Sequence, residues 1–276
     1  MNKKKVAMIG LMAILAIGIL SGCGNSTDSK QVNNQNGTPT VKVGTTAGPG
    51  AEVLEQVKKE AAKQNLNVEI VEFNDYIQPN EALREKSLDM NAFQTKPFLD
   101  SESGLRGYKF SMIGKSIILP MGAYSKKIAS IDDLKSGATI AIPNDVTQAG
   151  RALMLIEKSG VIKLKPGLGM KATVNDIAEN PKNVKFIEVD AAQTPRSLED
   201  VDLAAINTNY ALNVGLNPKK DALILEDKNS PWGCYIVARE EDKDNPTFQQ
   251  FVKIYDSEPI AKFIEERFQG SVFPTW

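Results

Sequence analysis

The sequence contains no histidine among its 276 residues, and this absence excludes several kinds of catalytic site. Nucleophile systems of the Ser-His-Asp and Cys-His kinds need an imidazole as their general base. Zinc and copper sites rest on imidazoles or on several thiolates, and the chain has only two cysteines. Histidine is also the usual residue for proton transfer near neutral pH. The composition therefore favours a binding protein over an enzyme, with no resident metal or cofactor.

One long apolar run occurs near the N-terminus, at 6–20, directly after lysines at 3–5. As a helix rising 1.5 Å per residue it would span roughly 22 Å, which is less than the ~30 Å hydrocarbon core of a bilayer. The run ends in Leu-Ser-Gly-Cys at 20–23, which resembles the bacterial lipobox, where a peptidase cleaves before a cysteine that carries acyl chains such as palmitate. Residues 1–22 are therefore interpreted as a lipoprotein signal peptide and Cys23 as the lipidated residue. The alternative is an uncleaved anchor helix with an incidental cysteine.

Cys234 is the second cysteine of the chain. With Cys23 acylated, no disulfide can form within the chain, so a packed core must stabilise the fold. Residues 23–40 hold the lipidated cysteine and a polar stretch rich in Asn, Gln, Ser and Gly, which is expected to be a flexible tether. The remaining segment, 41–276, is long enough for one large or two modest domains.

Basic charge is not concentrated in any part of the chain after the leader. The formal net charge is −1, and loss of the three leader lysines changes it to −4. Acidic and basic residues alternate without a basic patch, so nucleic acid is not expected as a partner.

The segment after the tether alternates β-type runs with amphipathic helical stretches. Strands are expected at 41–45, 67–73, 88–93, 115–125 (passing into a connector), 138–142, 184–189, 203–207, 223–225 and 235–238. Helices are expected around Leu54–Ala61, at 80–86, after Pro97, and at 130–134, 147–158, 245–255 and 258–267. This alternation is typical of an α/β protein with largely parallel sheets.

Two local motifs have a functional and a purely structural interpretation. The loop 44–50 lies between a strand and a helix, where phosphates bind in nucleotide-binding proteins. It has neither the Lys-Ser ending of a P-loop nor the glycine spacing of a dinucleotide fingerprint, so a tight turn at the edge of a cleft is favoured. The acidic stretch 239–244 contains charges of both signs, which favours a solvated turn over a calcium site.

Amide and aromatic side chains follow three of the expected strands, at 73–76, 91–95 and 206–210. Such side chains at the carboxyl ends of strands are typical of a small-ligand cleft in an α/β protein. Arg151 lies early in the helix after Asn144 and could present its guanidinium to a ligand carboxylate. The alternative is an exposed helix charge paired with a nearby acid.

Eight short motifs, in order, carry a family resemblance over 41–276. They are Val-Gly-Thr-Thr-Ala-Gly-Pro at 43–49, Glu-Phe-Asn-Asp-Tyr at 72–76, Asn-Ala-Phe-Gln-Thr-Lys-Pro-Phe-Leu at 91–99, Tyr-Ser-Lys-Lys at 124–127, Ile-Pro-Asn-Asp at 142–145, Gly-Arg at 150–151, Glu-Asn-Pro-Lys-Asn at 179–183 and Ile-Asn-Thr-Asn-Tyr at 206–210. With these motifs the chain resembles the methionine-binding lipoprotein family, or NlpA lipoprotein family. The members of that family are substrate-binding components of ABC importers.

The resemblance implies an α/β fold with two lobes, a type II clamshell like that of periplasmic binding proteins. Two crossover strands would join the lobes near 116–125 and 228–238. Lobe 1 would then comprise 41–120 and 235–276, and lobe 2 would comprise 121–234.

The resemblance also implies ligand-binding residues. Arg151 matches the arginine that pairs with the carboxylate of the amino acid, and Asn207 matches the asparagine that holds polar groups of the ligand backbone. Tyr76, Phe93 and Phe98 match aromatic residues around the thioether, whose polarisable sulfur contacts ring edges favourably. The expected set is completed by Asn144, Thr95 and Cys234.

Three positions depart from the family pattern. Thr95 replaces a histidine, Phe98 replaces a tyrosine, and Ser-Pro-Trp-Gly-Cys at 230–234 places Cys234 where a ligand-binding asparagine usually stands. Each lost polar partner would leave a buried ligand group unpaired at about 1–3 kcal/mol. A different amino acid, a modified methionine or a small peptide is therefore an alternative to methionine, and ordinary packing is an alternative role for Cys234.

The resulting hypothesis is a monomeric receptor, anchored by lipid to the extracytoplasmic face of the cell membrane. It would bind an amino acid, with methionine as the first candidate, and deliver it to an ABC permease driven by a cytoplasmic ATPase. A lipoprotein with a degenerate cleft and a role in adhesion or signalling is the second hypothesis. An enzyme with an unusual mechanism is the third.

Overall fold

Residues 37–276 are the part of the chain that the computed structural model describes. The expected signal peptide at 1–22, the lipidated Cys23 and the tether as far as residue 36 lie outside the described residues. The segment Thr38–Trp276 forms one compact unit.

Strands occur throughout the described segment, as the alternating pattern predicted. They are β1 (Thr40–Thr46), β2 (Asn67–Phe73), β3 (Met90–Thr95), β4 (Phe110–Ile118), β5 (Gly122–Tyr124), β6 (Thr139–Pro143), β7 (Lys163–Leu164), β8 (Ile177–Glu179), β9 (Lys185–Val189), β10 (Leu203–Ile206), β11 (Ile224–Leu225), β12 (Gly233–Arg239) and β13 (Phe273–Pro274).

Helices separate most of these strands. They are α1 (Pro49–Ala62), α2 (Gln78–Arg84), α3 (Lys96–Arg106), α4 (Val146–Lys158), α5 (Thr194–Ser197), α6 (Thr208–Asn213), α7 (Pro218–Asp221), α8 (Pro246–Tyr255) and α9 (Glu258–Phe268). Proline stands in the first turn of seven of them, at a position where its missing N–H removes no intrahelical bond.

The first sheet has the strand order β13-β4-β12-β3-β1-β2. Helices cover both of its faces. Successive residues of β12 show this, since they belong to different apolar clusters. Ile236 and Ala238 pack with α1, α8 and α9, whereas Val237 packs with Leu83 of α2 and Leu99 of α3. We call this sheet and its helices the first lobe.

The second sheet has the order β11-β5-β10-β6-β9. Its strands also alternate between two apolar clusters. Ile140 and Ile142 of β6 pack with α4, and Ala141 faces the cluster that contains Leu198 and Tyr210. We call this sheet and its helices the second lobe.

The chain crosses between the lobes twice. It leaves the first sheet after Ile118 and enters the second at Gly122, with Pro120 between them. It returns from β11 to β12 at Gly233, so Gly233 and Cys234 are already part of the first sheet. The second segment of lobe 1 was expected to begin two residues later, at 235.

The expectation of largely parallel sheets was wrong, since six of the ten strand pairs within residues 37–276 are antiparallel, including the short pairs β13–β4 and β7–β8. β1 pairs in parallel with β2 and β3, and β6 with β9 and β10. β12 is antiparallel to both β3 and β4, and β5 is antiparallel to β10 and β11. β5 and β12 form four of the antiparallel pairs, and each follows a crossing, where the chain enters a sheet directly from the other lobe.

Local sequence signals located two short features correctly. Ser130 caps the 3₁₀ helix Ile131–Asp133: its Oγ accepts a hydrogen bond from the N–H of Asp132, and the carboxylate of Asp133 accepts one from the N–H of Ser130. The glycine-rich loop is a tight turn, because only Ala47 and Gly48 separate β1 from α1. The start of β4 was missed, since its first residues show no clean apolar alternation.

Candidate functional site: a cavity between the two lobes

A cavity lies where the two lobes face each other. It contains about 430 Å³ of space free of protein atoms, part of it open to solvent. Residues from both lobes form its wall: Thr46, Tyr76, Phe93, Gln94, Thr95, Phe98, Leu119, Gln148, Arg151, Asn207, Asn209, Trp232 and Cys234.

The ends of parallel strands place most of these side chains. Thr46 and Thr95 end β1 and β3, and Asn207 directly follows β10. The first turns of α4 contribute Gln148 and Arg151, which are three residues apart and so share one face of the helix. The cavity therefore lies at the carboxyl edge of both sheets, where α/β folds bind ligands.

Aromatic rings form one side of the cavity. The centroid of Tyr76 lies 6.1 Å from that of Phe93, 6.0 Å from that of Phe98 and 5.2 Å from that of Tyr210. Burial raises the pKa of the Tyr76 phenol, so its hydroxyl stays protonated and donates to Oδ1 of Asn209 at 2.7 Å. Tyr76 belongs to the first lobe and Asn209 to the second, so this bond joins the lobes.

Arg151 is fixed from behind by the second lobe and the first crossing. Its Nε donates to Oε1 of Glu226 at 2.8 Å, and its Nη2 donates to Oε2 of Glu226 at 2.5 Å and to the carbonyl of Leu119 at 2.8 Å. The guanidinium also lies 5.5 Å from the ring centroid of Trp232. These bonds use every N–H of Nε and Nη2, and Nη1 has no hydrogen-bond partner among residues 37–276.

Two amide side chains in the cavity wall have free hydrogen-bonding atoms. Nδ2 of Asn207 donates to Oε1 of Gln148 at 2.8 Å, but its Oδ1 has no partner within the described chain. Nδ2 of Asn209 is likewise buried without a partner there. Because buried polar atoms are nearly always hydrogen-bonded, these two atoms indicate an acceptor and a donor for a polar ligand.

The three positions that depart from the family pattern adjoin one another. Cys234 and Thr95 are opposite each other in the β12–β3 ladder, and Oγ1 of Thr95 accepts from the N–H of Phe98 at 3.4 Å. The Cys234 thiol donates to the carbonyl of Phe93 at 3.2 Å, and burial raises its pKa to about 12. The departures thus alter a single patch of the cavity wall, which carries less hydrogen-bonding capacity than His, Tyr and Asn would give it.

Helix α6 of the second lobe contacts the loops of the first lobe. The hydroxyl of Tyr210 donates to the carbonyl of Asn74 at 3.3 Å, and Nδ2 of Asn213 donates to the carbonyl of Ala47 at 3.3 Å. Gly48 permits this approach: its φ is +100°, and a Cβ there would lie 2.5 Å from Oδ1 of Asn213. The lobes are therefore in a closed arrangement.

The structure brings seven of the eight expected ligand-binding residues together around the cavity. They are Tyr76, Phe93, Thr95, Phe98, Arg151, Asn207 and Cys234. The eighth, Asn144, is exposed and does not line the cavity; its N–H donates to the carbonyl of Val189 at 2.8 Å. It precedes the N-cap of α4, whereas the cavity receives side chains from the turns that follow the cap.

Several residues of the cavity wall, and Glu226 outside it, were not predicted as ligand-binding residues. Gln148 could have been found from its three-residue spacing to Arg151, and Asn209 from the motif Ile-Asn-Thr-Asn-Tyr at 206–210. Glu226 is 75 residues from Arg151 in the sequence, and no local pattern connects the two.

Two general features of the described segment bear on other classes of site. None of the helices within 37–276 has both the length and the apolar character needed to cross a membrane. Within the same residues, no group of three or more Cys, Asp or Glu side chains is arranged to hold a metal ion.

Sequence comparison places the chain among lipoproteins. The family model described as NlpA lipoprotein matches residues 41–276. The D-methionine-binding lipoprotein MetQ of Salmonella typhimurium (strain LT2) is 45% identical over 273 residues, which cover 98% of this chain and 96% of that protein. The protein of the same name from Escherichia coli (strain K12) is 44% identical over 273 residues, with the same coverage.

Comparison with solved structures agrees with the sequence comparison. A nutrient-binding protein from Burkholderia cenocepacia, bound to methionine, is 51% identical with a TM-score of 0.83, covering 86% of this chain and all of that one. The likeness confirms the two-lobed fold of periplasmic binding proteins that the motifs implied. Together with the match over 41–276, it shows that this chain belongs to the NlpA lipoprotein family.

Proposed function

We propose that this protein is the substrate-binding lipoprotein of an ABC importer and that its ligand is methionine. The observation that carries the proposal is the interlobe cavity, which Arg151 and a cluster of aromatic rings line together. Relatives of similar length are named for binding D-methionine, and a structural relative contains methionine.

The polar atoms of the cavity match the two charged groups of an α-amino acid. Nη1 of Arg151 donates to the ligand carboxylate, in a charge-assisted hydrogen bond. Oδ1 of Asn207 accepts from the ligand ammonium, which gives this buried atom the partner that it lacks within the chain. Nδ2 of Asn209 donates to a remaining carboxylate oxygen.

The thioether of the ligand packs against the rings of Tyr76, Phe93 and Phe98. Sulfur–aromatic contacts of this kind are favourable by about 0.3–1.5 kcal/mol each. Thr95 and Cys234 complete that wall, where methyl and thiol groups offer a surface that suits an aliphatic chain. The altered wall therefore supports a ligand held by its α-substituents and by apolar packing.

Transport follows from binding and closure, and we propose no chemistry at the site. The ligand contacts both lobes, so it stabilises the closed form over an open one. In the proposed setting, acyl chains on Cys23 hold the monomer at the extracytoplasmic face of the membrane. The closed receptor then delivers methionine to a permease that is driven by a cytoplasmic ATPase.

Isothermal titration calorimetry of the full chain in detergent, with L-methionine, D-methionine and methionyl dipeptides, tests the proposal. We expect micromolar or tighter binding of at least one methionine enantiomer. Arg151→Lys should weaken it about tenfold or more, because lysine cannot pair with Glu226 and donate to the ligand together.

Arg106→Lys is the matched control, since Arg106 forms an ion pair with Glu102 away from the cavity. This variant should bind methionine like the native chain. Failure of both enantiomers to bind the native chain would refute methionine as the ligand, and binding of a dipeptide alone would replace it.

A further inference from the structure

The cavity wall contains one charged side chain, Arg151, among the described residues that line it. No carboxylate of residues 37–276 lines the cavity, so the ammonium of an amino acid would meet only uncharged acceptors of this segment there. The nearest balancing charge is Glu226, which stands behind the guanidinium and outside the wall.

Glu226 is held firmly in that position. Its two carboxylate oxygens accept from Nε and Nη2 of Arg151, and Oε2 also accepts from the N–H of Met121 at 2.7 Å. The side chains of Arg151 and Glu226 are 5% and 8% exposed. A charge pair so well shielded from water interacts strongly with any net charge brought next to it.

Two other carboxyl groups that are shielded from water, those of Glu102 and Asp145, do not balance Arg151. Glu102 forms its own ion pair with Arg106 at 2.8 Å. Asp145 accepts from the N–H of Gln148 and the hydroxyl of Thr147 as the cap of α4, and burial raises its pKa. Glu226 is therefore the group that makes the Arg151 side of the cavity neutral.

We propose that Glu226 selects the charge of the ligand: it neutralises Arg151, so the site accepts a zwitterion and rejects an anion with the same side chain. This inference rests on the proposed function, because it assumes that Arg151 binds the ligand carboxylate. With a zwitterion bound, the four charges of Glu226, Arg151, carboxylate and ammonium cancel. An anion that lacks the ammonium leaves one uncompensated negative charge in a closed cavity, which is unfavourable.

Glu226→Gln reverses this balance. The bound zwitterion then carries a net positive charge in the site, whereas the anion pairs with Arg151 to give neutrality. If Glu226 merely supported the fold, its replacement would weaken the binding of both ligands to the same extent. The ratio of the two affinities is therefore the measurement that distinguishes charge selection from structural support.

The experiment compares methionine with 2-hydroxy-4-(methylthio)butanoate, which has a hydroxyl in place of the ammonium, by calorimetry on the full chain in detergent. We expect the native chain to prefer methionine by about a hundredfold or more. In Glu226→Gln the preference should shift by about tenfold or more toward the hydroxy acid. An unchanged preference in Glu226→Gln overturns the inference.

Two further variants complete the test. Glu226→Asp keeps the charge but shortens the side chain, so both affinities should fall while the preference for methionine persists; loss of the preference in this variant also overturns the inference. Glu102→Gln removes a carboxylate from a comparable Arg pair away from the cavity and should leave both affinities within about threefold. If the native chain binds neither compound, the proposed function fails as well, which is a different result from methionine binding with an unchanged ratio.

Discussion

Cys234 illustrates how a single residue is read differently in the sequence and in the structure. In the sequence it stands where the family pattern has a ligand-binding asparagine. In the structure its thiol is buried, donates to the carbonyl of Phe93 and lies opposite Thr95. Both interpretations survive in part, because the side chain is at once a packed strand residue and a part of the cavity wall.

The reactivity of Cys234 is predicted to depend on lobe closure. With its pKa raised to about 12 by burial, only about one thiol in ten thousand is ionised at pH 8. Alkylation by iodoacetamide at pH 8 should therefore be much slower in the folded chain than in urea, and methionine should slow it further. Peptide mapping by mass spectrometry separates Cys234 from Cys23. Equal rates in the folded and the unfolded chain would contradict the buried position.

Helix α4 shows how one element connects stability with the site. Asp145 caps its N-terminus: Oδ1 accepts from the N–H of Gln148 at 3.0 Å and from the hydroxyl of Thr147 at 3.0 Å. The same helix carries Arg151, and Gly150 lies so close to the Met170 carbonyl that a Cβ would be 2.1 Å from that oxygen. The cap and this close packing together set the position from which the guanidinium reaches the cavity.

Loss of this cap is predicted to destabilise the fold. Asp145→Ala should lower the free energy of unfolding by about 1 kcal/mol, because the N–H of Gln148 loses its acceptor. Asp145→Asn is the matched control, since asparagine caps helices about as well as aspartate. Urea unfolding followed by circular dichroism measures both variants. Equal destabilisation by alanine and asparagine would show that the charge matters and the cap does not.

At the scale of the whole molecule, the closed arrangement depends on contacts that lie outside the cavity as well as inside it. Asn213 and Tyr210 of α6 donate to backbone carbonyls of the first lobe. These bonds exist only while the lobes face each other closely. A ligand that needs the closed form therefore gains affinity from interlobe hydrogen bonds in which it takes no part.

Asn213→Ala is predicted to weaken methionine binding although Asn213 is not in the cavity wall. Loss of one hydrogen bond that exists only in the closed form should reduce affinity about three- to tenfold. The matched control is Gln250→Ala, which removes the hydrogen bond that the side-chain amide of Gln250 donates to the carbonyl of Gln64 within the first lobe. This variant should bind methionine with unchanged affinity. Calorimetry gives the affinities, and small-angle X-ray scattering reports whether methionine still compacts the variant. An affinity equal to that of the native chain would show that this contact does not favour closure.

The positions of most strands and helices could be predicted from the sequence because each depends on local periodicity. The stripe of Leu54, Val57 and Ala61 lies buried on α1 as expected. The early start of β4 was not predicted, because its first residues are only partly buried and no clean apolar alternation marks them. The direction of β12 was missed as well, since the direction of a strand depends on the path of the chain between lobes.

The site was predictable to the extent that its residues lie in short motifs at strand ends, and seven of the eight expected side chains line the cavity. The exception, Asn144, shows the limit: a motif indicates which segment reaches the cleft but not which of its side chains faces inward. The direction of a side chain depends on where the helix begins, and here the helix begins after Asp145.

The class of fold, the family and the absence of any imidazole follow from the amino-acid sequence alone, since composition, periodicity and ordered motifs are properties of the chain. Only the tertiary structure decided which charges meet. Glu226 and Arg151 are 75 residues apart and pair because helix α4 and the segment after β11 converge in the second lobe. The three altered wall positions adjoin because β12 returns beside β3. Contacts of this kind depend on packing between distant segments, which no local pattern records.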